Sequence, residues 1–216
     1  MQRIVTRFFS TSLLLVLFSS CVFAASDEYV KKYGAQNFTI NQDALKYEIP
    51  ERGLYKVIPR LKDSAVWTQF AVPEKTGATF KEWQIEAVVK DSDGAGAGVA
   101  IWFSDKGYAF YLFPDGGGYL RCFEGKKATW SSEVKVRNFA YPARLALYLD
   151  PNGSVIAKLD DKVCATRLFE VDLNKSAQED VTSASFVTHS EKNRSGLAAY
   201  FESMEIRGWN KRKPSQ

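Results

Sequence analysis

Residues 98–124 read GVAIWFSDKGYAFYLFPDGGGYLRCFE. Three short runs of β-branched and aromatic residues, 98–103, 108–113 and 119–124, are separated by segments rich in Asp, Gly and Pro. Such runs are typical of strands, and a connection as short as 114–118 is typical of a hairpin. The stretch therefore predicts three neighbouring antiparallel strands.

The same pattern continues on both sides of this stretch. Further runs of this kind are 53–58, 65–72, 83–90, 143–149, 155–159, 184–188, 197–201 and 204–207. Aromatic residues make up 14% of the chain, and all-β folds use them heavily because they cover pleated surfaces well. About a dozen short strands predict an all-β fold, a two-sheet antiparallel jelly-roll sandwich, with a barrel of similar strand number as the alternative.

One short helix is predicted, over residues 25–36. Ser26 fits a helix N-cap and Gly34 fits a helix stop. We divide the chain into a signal peptide (1–24), an N-terminal segment with this helix (25–37), the sandwich domain (38–209) and a basic disordered tail (210–216).

The first 24 residues have the order of a secretory signal. Arg3 and Arg7 precede an apolar stretch over 8–18, and small residues follow, so cleavage is expected after Ala24. The apolar stretch is too short to span a bilayer, and no later segment reads as a transmembrane helix. The mature protein is therefore expected in the periplasm or outside the cell.

Cys21 leaves a second interpretation of the same segment. Phe18-Ser19-Ser20-Cys21 is similar to a bacterial lipoprotein signal, in which Cys21 would be lipidated. Lipoprotein signals usually carry Leu or another aliphatic residue where this chain has Phe18. An outer-membrane lipoprotein therefore remains as the alternative to a soluble product.

Two further cysteines, Cys122 and Cys164, lie in predicted strands. In an oxidising compartment an even number of cysteines allows one disulfide. The two possible interpretations are a Cys122–Cys164 bond and two buried free thiols.

The charge balance argues against a nucleic-acid partner. The net charge is +4, and Arg3 and Arg7 supply two of these charges. A basic run occurs only in the tail, at Lys211–Lys213, whereas nucleic-acid binders usually carry a basic stripe within the fold.

The stretch from Phe80 to Trp209 resembles the concanavalin A-like lectin/glucanase superfamily, particularly its laminin-G-like and bacterial glucanase-like modules. The segments that carry the resemblance are 83–89, 98–103 followed by 108–112, 118–123 followed by Trp130, 144–149, Asn152-Gly153 with 155–161, and 196–201 followed by 204–206. The resemblance implies a jelly roll and a carbohydrate-related function. It is a pattern of apolar residues and turns, so it implies fold more strongly than activity.

The acidic residues give no catalytic pattern. Glucanases of this superfamily carry Glu-x-Asp-x-x-Glu on one strand, and residues 82–86 (EWQIE) lack that spacing. Asp160-Asp161 reads as a hairpin turn. Asp91 and Asp93 lie in a Gly-rich loop and are the best local candidates for calcium, which some relatives bind; otherwise no cofactor is expected.

The single histidine, His189, follows a predicted strand and precedes a polar loop. We expect it to be exposed or capped. A catalytic triad or a histidine-based metal site would depend on it alone.

The remaining signal is aromatic. If Val99, Ile101 and Phe103 face the core, then Trp102 faces outward, and the same alternation turns Tyr111 and Arg121 outward. Together with Trp130, these residues (Trp102, Tyr111, Arg121 and Trp130) would form a ligand-binding platform, because flat rings stack on sugar faces. The alternative is that the rings fill the core.

The sequence thus favours an exported, non-catalytic β-sandwich module that binds a glycan or another envelope component. The alternatives are a glycoside hydrolase with an unrecognised active site and a structural protein-interaction domain. The oligomeric state has no sequence signal.

Overall fold

The computed structural model of the protein describes residues 28–34, 45–48, 53–59, 65–71, 80, 82–103, 106–125, 127–150, 154–168, 183–190 and 197–209. The predicted signal peptide, Cys21 and the predicted basic tail lie outside these residues.

The described residues form fourteen strands. They are β1 (Glu28–Gly34), β2 (Leu45–Glu48), β3 (Tyr55–Pro59), β4 (Ala65–Ala71), β5 (Glu82–Ser92), β6 (Gly96–Phe103), β7 (Lys106–Leu112), β8 (Gly117–Glu124), β9 (Lys127–Lys135), β10 (Ala143–Leu149), β11 (Ser154–Leu159), β12 (Lys162–Leu168), β13 (Ser183–His189) and β14 (Ala199–Trp209).

Two antiparallel sheets contain all of these strands. The eight-stranded sheet has the order β12-β11-β10-β5-β14-β3-β2, and β1 pairs with the second half of β14. The six-stranded sheet has the order β4-β13-β6-β7-β8-β9. Both sheets contribute to one buried cluster between them, in which the Phe186 ring of β13 stacks on the Phe201 ring of β14 at 4.1 Å. The prediction of a two-sheet antiparallel sandwich is confirmed.

The predicted N-terminal helix is wrong for the residues that the structure describes. Residues 28–34 form β1, which pairs in continuous register with β14, from Glu28 opposite Trp209 to Gly34 opposite Ser203. Tyr29 of this strand packs against Phe80, with the ring centroids 6.1 Å apart. Pairing with a distant strand and burial of a tyrosine outweigh the local cap signal, because tertiary contacts routinely override propensity.

The predicted turns join the strands as hairpins. In the turn between β7 and β8, the Gly116 amide donates to the Phe113 carbonyl (2.9 Å) and the Gly117 amide donates to Asp115 Oδ1 (2.9 Å). Asp160 and Asp161 both have positive φ angles, 47° and 67°, as a two-residue hairpin turn between β11 and β12 requires. The two runs predicted over 197–207 form the single strand β14, which is interrupted by register shifts near Phe201.

Candidate functional site

The six-stranded sheet carries a second buried cluster on the face opposite the main core. We call it the outer aromatic layer, and its members are Ala100, Trp102, Ala109, Tyr111, Phe113, Phe123 and Val187. Val99 and Ile101 of β6 belong to the main core, so Ala100 and Trp102 point to the opposite face, as strand alternation predicts. The predicted faces of Trp102 and Tyr111 are therefore correct.

The rings of this layer lie flat across neighbouring glycines. A Cβ at Gly107 would lie 2.4 Å from Cε3 of Trp102, and a Cβ at Gly96 would lie 2.9 Å from Cδ2 of Tyr111. Only glycine lets the backbone approach the rings this closely. Trp102 is 7% exposed and Tyr111 is fully buried. The prediction that these two rings form an exposed stacking platform is therefore wrong, because a sugar cannot stack on a ring that is already covered.

Arg121 lies on the same face, at the border of the layer. Its guanidinium carbon is 4.5 Å from the ring centroid of Tyr119 and 5.4 Å from that of Tyr111. Its Nε donates to Ser131 Oγ at 3.2 Å. Cation–π contacts with two rings and one hydrogen bond hold the guanidinium over the outer face of the sheet.

Trp130 lies on the opposite face from the other three predicted site residues. It pairs with Cys122 across β8 and β9, and both side chains pack against the main core. The guanidinium carbon of Arg167 lies 4.0 Å from the Trp130 ring centroid. Trp130 is therefore not part of a platform with Trp102 and Tyr111. The alternation of the earlier strands did not predict its face, because Trp130 lies on β9, whose pairing with β8 shifts register beside it.

Beside Arg121, an open groove of about 660 Å³ crosses the outer face of the six-stranded sheet. It lies where the turn between β7 and β8 meets the end of β9, and its volume falls in the range usual for ligand sites. The groove is lined by Phe113, Asp115, Gly117, Gly118, Tyr119, Glu133, Val134 and Lys135.

The groove combines one accessible ring with groups of both charges. Tyr119 is only partly buried, and Glu133, which pairs with it in register, is exposed, as are Asp115 and Lys135. Phe113 is buried beneath them. Asp115 already accepts the Gly117 amide with one oxygen, which gives that carboxylate a role in shaping the turn.

Sequence reasoning did not find this set of residues. Glu133 and Lys135 lie on β9, which is mostly exposed and has no run of apolar residues to mark it as a strand. The signal that could have found it is the segment 124–127 (EGKK), whose glycine has a positive φ of 57° and suits the turn after β8.

No protein-family model and no curated protein matches this chain. Among solved structures, a Crh5 transglycosylase in complex with NAG is similar with a TM-score of 0.54 and 12% identity, over 85% of this chain and 85% of the other. A glycosidic hydrolase in its native form gives a TM-score of 0.51 and 7% identity, over 87% and 97% of the two chains. Galectin LEC-6 of Caenorhabditis elegans gives 0.44 and 10%, over 74% and 99%.

The chain adopts the concanavalin A-like jelly-roll fold. The fold expected from the sequence resemblance is thereby confirmed. At these identities the likeness concerns the fold, and the groove has to be interpreted from its own residues.

The single histidine of this jelly roll is not exposed, which corrects the expectation for His189. It ends β13, is 8% exposed, and stacks on the Tyr111 ring at 5.2 Å with an interplanar angle of 13°. The Phe113 ring meets it edge-on at 5.9 Å. The histidine was expected in a loop because a polar segment follows it, but it belongs to the sheet and packs beside the outer aromatic layer.

Cys122 and Cys164 are free thiols in this structure, which corresponds to the second of the two alternatives that the sequence left open. Both are half-buried against the main core. Burial raises the pKa of the Cys122 thiol and raises the pKa of the Cys164 thiol to about 11. The Cys164 thiol donates to the Ala157 carbonyl (3.3 Å).

The calcium candidates Asp91 and Asp93 make contacts within the protein. Asp91 Oδ1 accepts the Ser92 amide at 2.7 Å, and Asp93 Oδ2 accepts the Tyr200 hydroxyl at 2.8 Å. Over the described parts of the chain, no three His, Cys, Asp or Glu side chains come together as a metal site would require. Nor does the same part of the chain contain a helix of the length and hydrophobicity that crossing a bilayer demands.

Proposed function

We propose that the protein is a carbohydrate-binding module that holds a glycan, such as an envelope polysaccharide, in the groove between the β7–β8 turn and β9. The observation that carries this proposal is the groove itself, where the Tyr119 ring lies beside Glu133, Asp115 and Lys135. Aromatic rings stack on the apolar faces of sugars, and charged side chains fix the hydroxyl groups around the ring.

Each lining group has a matching chemical role. The Glu133 carboxylate can accept hydrogen bonds from two neighbouring hydroxyls, and the Lys135 ammonium can donate to hydroxyl or ring oxygens. Arg121 holds one side of Tyr119, which limits the ring's movement before a ligand arrives. A partly ordered site loses less entropy on binding, which suits a module without a covalent step.

Two similar structures support a carbohydrate ligand in general terms. One is a transglycosylase solved with NAG and the other is a glycosidic hydrolase. These activities belong to those two proteins. For this chain, a carbohydrate ligand is proposed on the basis of the residues that line the groove.

The test is retention of the full chain on cellulose, chitin, xylan, β-1,3-glucan and peptidoglycan, with matched variants. Glu133→Gln should lower the affinity at least about tenfold, since a hydrogen bond to a charged group contributes about 1.5–3 kcal/mol. Glu124→Gln is the control, because Glu124 is an exposed carboxylate at the far end of β8, outside the groove. Equal affinities for the two variants would contradict the site.

Tyr119 gives a second matched pair. Tyr119→Phe keeps the ring and should retain binding, whereas Tyr119→Leu should lose it. Both variants need a melting curve, because Tyr119 packs against Tyr111 with ring centroids 5.8 Å apart. Lost binding with an unchanged melting temperature supports the proposal. Binding that survives Tyr119→Leu contradicts it.

A glycoside hydrolase is the second candidate, and one observation favours it. Asp115 and Glu133 are two carboxylates in a single groove, and carboxylate pairs perform glycoside hydrolysis. The same tubes should therefore be analysed for released sugar. Release that disappears in Glu133→Gln would assign the groove to an enzyme, and absence of both retention and product would favour a protein partner.

We propose export as the cellular setting. The support is the signal-like order of residues 1–24, with periplasmic or secreted protein as the product and lipidated Cys21 as the alternative. Mass spectrometry of the protein recovered from the cell envelope separates cleavage after Ala24 from a lipidated Cys21.

A further inference from the structure

The groove belongs to a longer row of polar side chains along β8 and β9. Three register pairs follow one another on the outer face: Gly117 opposite Lys135, Tyr119 opposite Glu133, and Arg121 opposite Ser131. Alternate residues of a strand share a face, and two residues span about 7 Å, so the row is about 14 Å long. We call these three pairs the β8–β9 row.

The row offers a different group at each step. Lys135 lies at the turn end, the Tyr119 ring and Glu133 lie at the centre, and Arg121 with Ser131 lies at the far end. Hydrogen-bond donors and acceptors thus recur along the strand direction. A ligand that repeats its hydroxyl groups along its length could form hydrogen bonds with all three register pairs, whereas a single sugar could reach only one pair.

The row lies at one edge of the six-stranded sheet. β9 is the last strand of the six-stranded sheet in the part of the chain that the structure describes. Ser131, Glu133 and Lys135 are all exposed, and so are Lys127 and Thr129, which continue β9 past the far end of the row. A ligand chain laid along the row can therefore continue along β9 past Ser131, toward Thr129 and Lys127.

We infer that the β8–β9 row binds an internal segment of a linear polysaccharide, laid parallel to the two strands, and not a chain end or a single sugar. The inference rests on the proposed function and adds the form of the ligand. It makes Arg121 and Ser131 part of the binding surface although they lie outside the groove.

The test measures affinity against ligand length by isothermal calorimetry on the full chain. The probes are β-1,4-linked glucose, N-acetylglucosamine and xylose oligomers and β-1,3-linked glucose oligomers, each as disaccharide, tetrasaccharide and hexasaccharide. A second set carries methyl groups on the terminal sugars at both ends. We expect the affinity to rise about tenfold or more from disaccharide to hexasaccharide in the series that binds, and end methylation to leave it unchanged.

The variant Ser131→Ala tests the far end of the row. It should reduce the gain in affinity from disaccharide to tetrasaccharide, because a tetrasaccharide already covers a row of about 14 Å. Lys127→Met, beyond the row on the same strand, should leave that gain unchanged. A disaccharide that binds as tightly as the hexasaccharide, or binding abolished by end methylation, would overturn the inference and leave the proposed function intact. Failure of every polymer and oligomer to bind would overturn the proposed function itself.

Discussion

The guanidinium carbon of Arg167 lies 4.0 Å from the centroid of the Trp130 ring. Arg167 belongs to β12, the last strand of the eight-stranded sheet on this side, and Trp130 belongs to β9, the last strand of the six-stranded sheet. The pair therefore connects the two sheets at one open side of the sandwich. Trp130 acts in the structure as a packing residue beneath an arginine, on the face away from the groove.

Arg167→Ala should lower the free energy of unfolding by about 0.5–1 kcal/mol, the usual size of a cation–π contact at an exposed site. For a chain of this size that corresponds to a fall in melting temperature of about 1–4 °C. Arg137→Ala is the control, since Arg137 is an exposed arginine in the loop after β9. Carbohydrate retention should be the same in both variants. A loss of retention in Arg167→Ala alone would indicate that the Arg167–Trp130 pair contributes to ligand binding.

Gly107→Ala should destabilise the protein by about 1–3 kcal/mol, as overpacking of a filled site does. The added Cβ would lie 2.4 Å from the Trp102 ring, so the ring has to move off β7. Urea unfolding measures the loss. The same substitution in a Trp102→Leu background should cost much less, because the clash is gone, and an equal cost in both backgrounds would show that the ring does not lie over Gly107.

Ser185→Ala should leave the free energy of unfolding unchanged or raise it by up to about 1 kcal/mol. The Ser185 hydroxyl is fully buried and makes no hydrogen bond with any described residue, so its removal relieves a desolvation cost. Ser92→Ala is the matched comparison, because the Ser92 hydroxyl is also buried but donates to the Ala95 carbonyl. That variant should lose about 1 kcal/mol, and a similar loss at Ser185 would reveal a partner for its hydroxyl.

Strand alternation is a local property, and it located the faces of β6, β7 and β8 correctly. Val99 and Ile101 lie in the main core, and Trp102 and Tyr111 lie on the outer face. Whether an outward ring is covered depends on contacts between residues far apart in the chain, which no local pattern contains. The sequence therefore predicted the side on which Tyr111 lies but not that it is fully buried.

Strands without an apolar run were missed for a related reason. β9 is mostly exposed, and its place in the sheet comes from register pairing with β8 and not from its own composition. β1 pairs with β14 at the opposite end of the chain, so its local cap signal suggested a helix. Because Glu133 and Lys135 lie on β9, missing that strand also meant missing three of the eight residues that line the groove.

The thiols of Cys122 and Cys164 should react slowly with a disulfide reagent near neutral pH. Burial raises the pKa of both groups, that of Cys164 to about 11, so little of the reactive thiolate is present. In a Cys21→Ser background, the rate should rise with pH and become fast on unfolding in urea. Immediate reaction of both thiols in the folded protein would contradict their burial, and absence of any reaction after unfolding would indicate a disulfide.

The same raised pKa has a consequence for stability with a definite sign. The folded protein keeps the Cys164 proton to higher pH than the unfolded chain does, so its contribution is fully present below the ordinary value of 9.0 and is lost as the pH rises through about 11. Partly buried tyrosines such as Tyr141, whose pKa is also raised by desolvation, act in the same direction at still higher pH. Cys164→Ala isolates this thiol: between about pH 8 and pH 11 its free energy of unfolding should fall less steeply than that of the unsubstituted chain. Parallel curves would assign the loss to Cys122 and the tyrosines.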